Sequence, residues 1–341
     1  MKQGPYVTLV FPHRQTAHCE SGVIANLATY HGFPMSEAMA FGIGGGLFFG
    51  YLPFIRINGL PLTTFRTTPG SIFNRVTKRL GIGVERSSFK HEGPAMAELD
   101  RQLARGIPVG MQTGVYWLPY FPPALRFHFN AHNLVAYGKR GSDYLISDPV
   151  LGEPVLCAAE DLARARFAQG ALAPKGKMYC ITSVPKQLDL APAVRQGIRE
   201  VCRFMLSVPF PLIGTRGIRY LANQVERWPA KLGDRRAILY LGNLIRMQEE
   251  IGTGGGGFRF IFAAFLQEAA EVLGDKRFLE LSQRMTAIGD LWREFAVAGA
   301  RHCKGRSGEG ENFGDLAQIL RRCAEQEHAL FSELSTVVRE R

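Results

Sequence analysis

The sequence predicts an α+β chain in two parts: a mixed α and β domain over residues 1–184 and an all-α domain over 185–341. Three observations carry that expectation. A length of 341 residues is that of two domains of common size. The composition, 46% hydrophobic and 21% charged, supplies enough apolar surface for a sizeable interior. Near residue 190 the pattern also changes, from short stretches broken by Gly and Pro to long runs with apolar residues three and four apart.

In the first part, ESGVIANLATYHG (20–32) presents Val23, Ile24, Leu27 and Tyr30 on one face and stops at Gly32. It reads as a helix with Cys19 at its start. HNLVAYGKRGSDYLISDP (132–149) alternates apolar and polar residues on either side of the turn signal KRGSD. That is the pattern of a β-hairpin whose first strand begins at His132 and whose second ends at Asp148. SVPKQLDLAPAV (183–194) carries two prolines without strong periodicity and reads as a linker. Beyond it, IREVCRFMLSV, RRAILYLGNLIRMQEEI, FRFIFAAFLQEAAEVL, FLELSQRMTAIGDLWREFAVAGA and FGDLAQILRRCAEQEHALFSELSTVV read as amphipathic helices.

Composition also excludes several classes. The six cysteines are scattered with no C-x-x-C pair, which argues against a disulfide framework and a zinc ribbon and fits a reducing cytoplasm. The stretch MKQGPYVTLVFPHRQ has no long apolar core or small-residue cleavage site, and no window reaches about 18 uninterrupted apolar residues. The expectation is a cytoplasmic protein that neither is exported nor spans a membrane. A net charge of +11 favours an acidic partner: nucleic acid, an anionic membrane surface or an acidic carrier protein. No Lys/Arg-rich block, zinc-finger spacing or aromatic RNP-like strand supports nucleic acid.

Cys19 follows His18 directly and opens a helix. A thiol at a helix N-terminus faces the positive end of the dipole and unpaired N–H groups, which favour thiolate. The bland alternative is a buried thiol acting as a small hydrophobe. A base is needed next. Of the eight histidines, only His132 is followed by a strand, a turn and a strand ending in an acid. An antiparallel hairpin returns the end of its second strand beside the start of its first, so Asp148 can orient the His132 imidazole while its other nitrogen takes the thiol proton. The competing reading makes Asp148-Pro149 a turn initiator and His132 a surface polar residue.

The chain order Cys, His, Asp resembles papain-like cysteine enzymes, in particular the bacteriocin-processing peptidase branch. That resemblance implies an oxyanion-hole side chain six residues before the nucleophile. Here that residue is His13, a departure from the usual Gln. Two roles are open for it: donating toward developing negative charge together with the Cys19 backbone N–H, or packing and capping. The run HCESGVIANLATYHGFPMSEAMAFGIGGGLFFGY (18–51), followed by AHNLVAYG, ISDP and GTGGGGFRFIFAAFLQEA, resembles the family of butirosin biosynthesis protein H over nearly the whole chain. The resemblance implies acyl transfer from the phosphopantetheine thioester of an acyl carrier protein to an amine, with Cys19, His132 and Asp148 at the catalytic positions. It implies no bound cofactor of the enzyme's own, since the phosphopantetheine arrives on the donor.

The remaining features fit that scheme in two ways each. FGIGGGLFFGY (41–51) does not open a capped helix after a clear strand, so a dinucleotide site is not favoured. A tight turn near Cys19 is expected instead, with Gly45 and Gly46 at the backbone approach and Phe48, Phe49 and Tyr51 lining an acyl channel. GTGGGGFRF (252–260) precedes a helix, and it reads either as a hinge or as a receptacle for the pantetheine phosphate with Arg259 beside it. Trp117, Tyr120, Phe121, Phe127 and Phe129 read as core or pocket wall, which favours a hydrophobic or aromatic acyl chain. Between Arg195 and Arg246 ten basic residues stand against three acidic ones, a candidate carrier-docking face or simply solvated helix faces. His13, His18 and Cys19 lack any metal-ligand spacing, so no metal is expected. Two other classes share the scaffold: a cysteine hydrolase (thioesterase, amidase or peptidase) and a non-catalytic module that binds a carrier protein.

Overall fold

The computed structural model describes residues 7–57, 59–187, 189–308 and 310–340. Residues 1–6 of the N-terminal stretch and Leu188 of the expected linker lie outside them. The elements in chain order begin with β1 (Val7–Thr8), α1 (Cys19–Tyr30), α2 (Glu37–Ile43), β2 (Leu47–Ile57), β3 (Leu60–Arg66), α3 (Ser71–Arg79), β4 (Gly83–Ser87), α4 (Glu92–Ala104) and β5 (Val109–Thr113). After two short 3₁₀ turns come β6 (His132–Arg140), β7 (Asp143–Ser147), β8 (Val155–Ala158), α5 (Ala159–Arg166) and β9 (Met178–Ser183). The rest is helical: α6 (Ala191–Cys202), α7 (Gly214–Leu232), α8 (Asp234–Glu249), α9 (Arg259–Leu273), α10 (Arg277–Cys303) and α11 (Phe313–Val337). The class is α+β, as expected.

The division into two compact units differs from the single cut expected after residue 184. One unit comprises Met1–Ala40 and Val76–Leu188, the other Phe41–Arg75 and Asp189–Arg341. The excursion 41–75 has a packing reason. LFFGYLPFIRI and LPLTTFR pair antiparallel as β2 and β3, and their inward rings Phe49 and Phe65 pack against Trp292 of α10 at 6.0 and 5.4 Å. Their apolar face is therefore buried among helices that follow more than a hundred residues later.

The first unit is built on a seven-stranded antiparallel sheet in the order β4-β9-β5-β6-β7-β8, with β1 also pairing β6. Alternation puts Met111 of β5, Leu134 and Ala136 of β6 and Ile146 of β7 on one face, where they bury against Leu99 and Leu103 of α4 and Leu162 of α5. The hairpin read from KRGSD is β6–β7, with Val135 opposite Ser147 and Arg140 opposite Asp143.

The second unit packs α6–α11 with the β2–β3 ribbon around Trp292, Phe262, Phe265 and Phe295, all fully buried. The five helices expected from periodicity are present. The nineteen-residue α7 was not among them, because Gly214, Gly217 and Pro229 interrupt its pattern. Pro229 sits in the last turn and has no N–H to give the carbonyl four residues earlier. α11 starts with a capping box, in which Asn312 accepts from Gly314 N and Asp315 reaches back to Asn312 N. Among the described residues no helix is long and apolar enough to cross a membrane.

Candidate active site

Cys19 is the first residue of α1. His18, extended at φ −117° and ψ 123°, is the N-cap: its Nδ1 accepts the Ser21 backbone N–H at 3.4 Å, with the Ser21 hydroxyl 2.9 Å away. The helix ends in a Schellman motif, with Phe33 N bonding Ala28 O, Gly32 N bonding Thr29 O, and Gly32 at φ +84°. Ahead of Cys19 the backbone is held from two sides. The Glu37 carboxylate accepts the N–H of Ala17 at 3.0 Å and of His18 at 2.6 Å, and Thr16 N donates to Pro149 O at 2.6 Å. The second bond ties the loop before Cys19 to the residue after Asp148. Gly22 permits this approach, since a Cβ there would lie 2.7 Å from Pro149 Cβ and 2.1 Å from Thr16 Oγ1.

α1 packs on β6, whose first residue is His132. The strand start is pinned by pairing with Thr113 at the end of β5, whose hydroxyl donates to His132 O at 3.3 Å. One step beyond the last residue of β7 comes Asp148, diagonal to His132 across the hairpin. Its Oδ2 accepts from His132 Nε2 at 2.7 Å. Nε2 being engaged, Nδ1 is the ring nitrogen left for the Cys19 thiol, which acts on the same imidazole. All three side chains are shielded, at 7% exposure for Cys19, 5% for His132 and 0% for Asp148.

Burial pulls the imidazole pKa down, but the Asp148 charge and hydrogen bond, joined by the hydrogen bond and charge of Cys19, more than offset it and push it up to about 10. That balance favours the imidazolium over the neutral ring. Asp148 is also the acceptor of two further donors: the Tyr120 hydroxyl at 2.9 Å on the same Oδ2, and Val150 N at 3.3 Å on Oδ1. Burial and the Asp148 charge hold the Tyr120 phenol well above its usual pKa, so it remains a donor.

Burial pushes Cys157, Cys180 and Cys202 up to about 12, and Cys303 and Cys323 rise for the same first cause. Among the cysteines, a partner imidazole is found for Cys19 alone in the described residues.

Several expected site residues have other occupations. Both ring nitrogens of His13 are engaged: Nε2 donates to Leu151 O at 3.1 Å, and Nδ1 lies 2.8 Å from Ser147 Oγ. His13 thus ties its loop to the end of β7 and has no ring N–H left for an oxyanion. Gly45, Gly46, Phe48 and Tyr51, expected along an acyl channel, belong to the second unit and pack within it. A Cβ on Gly45 would meet Glu200, and one on Gly46 would meet the Phe41 ring at 2.5 Å. Phe48 sets its ring edge against Phe204, and Tyr51 packs by Tyr220 and Trp228. Arg259, expected to receive a phosphate, is fully buried in a bidentate ion pair with Glu327, with Nε–Oε1 at 2.9 Å and Nη2–Oε2 at 3.0 Å. Trp292 Nε1 donates to the same Glu327 Oε1 at 2.6 Å. The glycine run before Arg259 is a packed turn: Gly256 N donates to Glu249, and a Cβ on Gly257 would lie 2.4 Å from the Phe65 ring.

Glu37 and Tyr120 are the participants that sequence reasoning missed. Glu37 stands in the first turn of α2 behind Ser36, whose hydroxyl accepts Met39 N at 2.9 Å; a Ser-Glu pair signals a helix start and says nothing about a loop nineteen residues earlier. Tyr120 read as pocket wall because a phenol among aromatics does not disclose where its hydroxyl points. A further phenol, Tyr179 on β9, donates to Asn133 Oδ1 at 3.0 Å and faces the charges of Glu20 and Cys19.

Two family models match the chain. One, described as butirosin biosynthesis protein H, N-terminal, covers residues 18–149 and includes Cys19, His132 and Asp148. The other, a domain of unknown function designated DUF4872, covers 160–334. Among solved structures, a protein described as a C39-like peptidase from Bacillus anthracis is similar at 16% identity and a TM-score of 0.38, over 53% of this chain and 100% of that one. No curated protein matches the chain.

Proposed function

The chain carries a match to butirosin biosynthesis protein H, N-terminal, over residues 18–149 and belongs to the DUF4872 family over 160–334, and on that premise we propose that it is a biosynthetic cysteine acyltransferase, taking an acyl group from an acyl carrier protein thioester and passing it to an amine. One observation carries this reading: Cys19, His132 and Asp148 form one shielded chain at the start of a helix, with His132 Nε2 bonded to Asp148 at 2.7 Å and Cys19 acting on the same ring.

The chemistry follows from that chain. Cys19 Sγ, as thiolate, attacks the thioester carbonyl carbon; the new C–S bond forms as the carbonyl electron pair moves to oxygen. The oxyanion meets the Cys19 backbone N–H, one of the first-turn donors that the helix ladder leaves without a carbonyl. Collapse breaks the bond to the phosphopantetheine sulfur, which leaves with the proton from His132. An amine then attacks the acyl-Cys19, neutral imidazole takes its proton, and Sγ departs as thiolate. Asp148 keeps the imidazole in the required tautomer throughout. The phosphopantetheine travels on the donor, so the enzyme needs no cofactor of its own.

The carrier-protein partner is supported by charge. Of the ten basic residues between 195 and 246, all but Arg195 are exposed. Such a surplus speeds encounter with an acidic carrier and makes it salt-dependent. Reducing conditions such as those of the cytoplasm suit an enzyme whose six thiols are all free.

The test is intact mass after mixing the protein with an acylated carrier. An acyl adduct on the wild type that is absent in C19A supports the proposal, and no adduct on either chain overturns it. Release of free acid without added amine would instead assign the site to hydrolysis.

A further inference from the structure

Asp148 is fully buried, and a carboxylate without water needs protein donors for its lone pairs. Two of its three donors, His132 Nε2 and the Tyr120 hydroxyl, converge on the single oxygen Oδ2 at 2.7 and 2.9 Å. Tyr120 comes from outside the hairpin, in the connection between β5 and β6. Its neighbour Phe121 lies edge-on to the His132 ring at 5.7 Å and 78°. Two consecutive side chains thus pack both members of the acid–imidazole pair.

We propose that Tyr120 is a positioning residue of this site: by sharing Asp148 Oδ2 with the imidazole, its hydroxyl fixes the carboxylate's orientation and limits how firmly His132 keeps its proton. The inference rests on reading Cys19 as nucleophile and His132 as its base. A hydrogen bond donated to a carboxylate oxygen draws charge from it, so the oxygen attracts the imidazolium less. A general acid must release its proton to the leaving thiol and recover one from the amine, and an imidazolium held by the full carboxylate charge does this poorly. The hydroxyl acts through Asp148 without touching substrate.

The charged and titratable groups around the pair are few. Cys19 faces His132 from α1, and Asp148 faces it from the end of β7. Cys157 of β8 faces Tyr120, and Tyr179 of β9, with Glu20, lies toward Cys19. Removing only the Tyr120 hydroxyl leaves all of these in place.

The experiment measures Cys19 alkylation by iodoacetamide, peptide by peptide, from pH 5 to 11 on the full chain. In Y120F the upper inflection, where the imidazolium loses its proton, should rise by about one pH unit, equivalent to a tenfold change in proton affinity. Turnover of an N-acetylcysteamine thioester should fall about tenfold in kcat with KM little changed. Should Y120F fold poorly, Tyr120→3-fluorotyrosine keeps the ring and strengthens the donor, and its inflection should move downward. An inflection unmoved in whichever variant folds overturns the proposal, since a merely structural tyrosine would change stability alone. If wild-type Cys19 is alkylated no faster than the other five thiols, the nucleophile reading fails and the Tyr120 inference falls with it. Normal Cys19 reactivity with an unmoved inflection refutes the Tyr120 role alone.

Discussion

The Glu37 carboxylate accepts the His18 backbone N–H at 2.6 Å, one residue ahead of Cys19, and takes the Ala17 N–H with its other oxygen. The loop that leads into Cys19 is held in one shape by two amide hydrogens and a carboxylate. E37Q turns one acceptor oxygen into a donor facing a backbone donor. Loss of about 1–3 kcal/mol is expected, read from urea denaturation, with slower Cys19 alkylation. Burial raises the Glu37 pKa above 4.5 despite its hydrogen bonds. Its linkage contribution is therefore full below about pH 4.5 and is lost as pH rises through the folded value. E37Q should remove that slope from a plot of stability against pH.

Asp148 supplies the charge that His132 leans on. D148N keeps the shape and removes the charge, so burial should then pull the imidazole downward. Acyl-enzyme formation should slow by about a hundredfold or more, measured as the rate of adduct appearance by mass. An unchanged rate would show that Asp148 only fills space.

The His132 pKa also sets a stability window. It is about 10 in the folded chain against 6.5 for the free group, so its contribution is fully present below about 6.5 and lost as pH rises through 10. Melting temperature should decline between pH 7 and 10 more in the wild type than in H132Q, as scanning calorimetry would register.

Gly22 keeps the first turn of α1 against Pro149. G22A places a methyl where Thr16 and Pro149 already sit and should cost about 1–3 kcal/mol. Cys19 alkylation should fall alongside thermal stability, because the displaced contact is the one that ties its loop to the residue after Asp148.

In the second unit the Arg259–Glu327 pair is wholly buried and is shared with Trp292. E327Q leaves an uncompensated guanidinium and should destabilise by about 3–5 kcal/mol. The double change R259M/E327L should recover much of that loss in the same denaturation assay, since an apolar pair leaves no buried charge.

What the sequence determined by itself was local. The stop of α1 at Gly32, the turn at KRGSD, the place of Cys19 at a helix start and the meeting of His132 with Asp148 across a hairpin all depend on residues close along the chain. Dihedral preferences and short-range hydrogen bonds encode them directly. Periodicity likewise revealed five helices of the second unit, and missed α7 where glycines and a proline hide the amphipathic face.

Only the tertiary structure decided which distant groups meet. Alternation marks LFFGY as having a buried face, yet not that Trp292 covers it. An arginine after glycines looks available to an anion until Glu327, sixty-eight positions on, is found to hold it. His13 turns to Ser147 and Leu151, Tyr120 to Asp148, and Glu37 back to His18. The reason is physical: a side chain's polarity states what it must bond, while the partner is chosen by how the loops close and the layers pack, which no short window of residues contains.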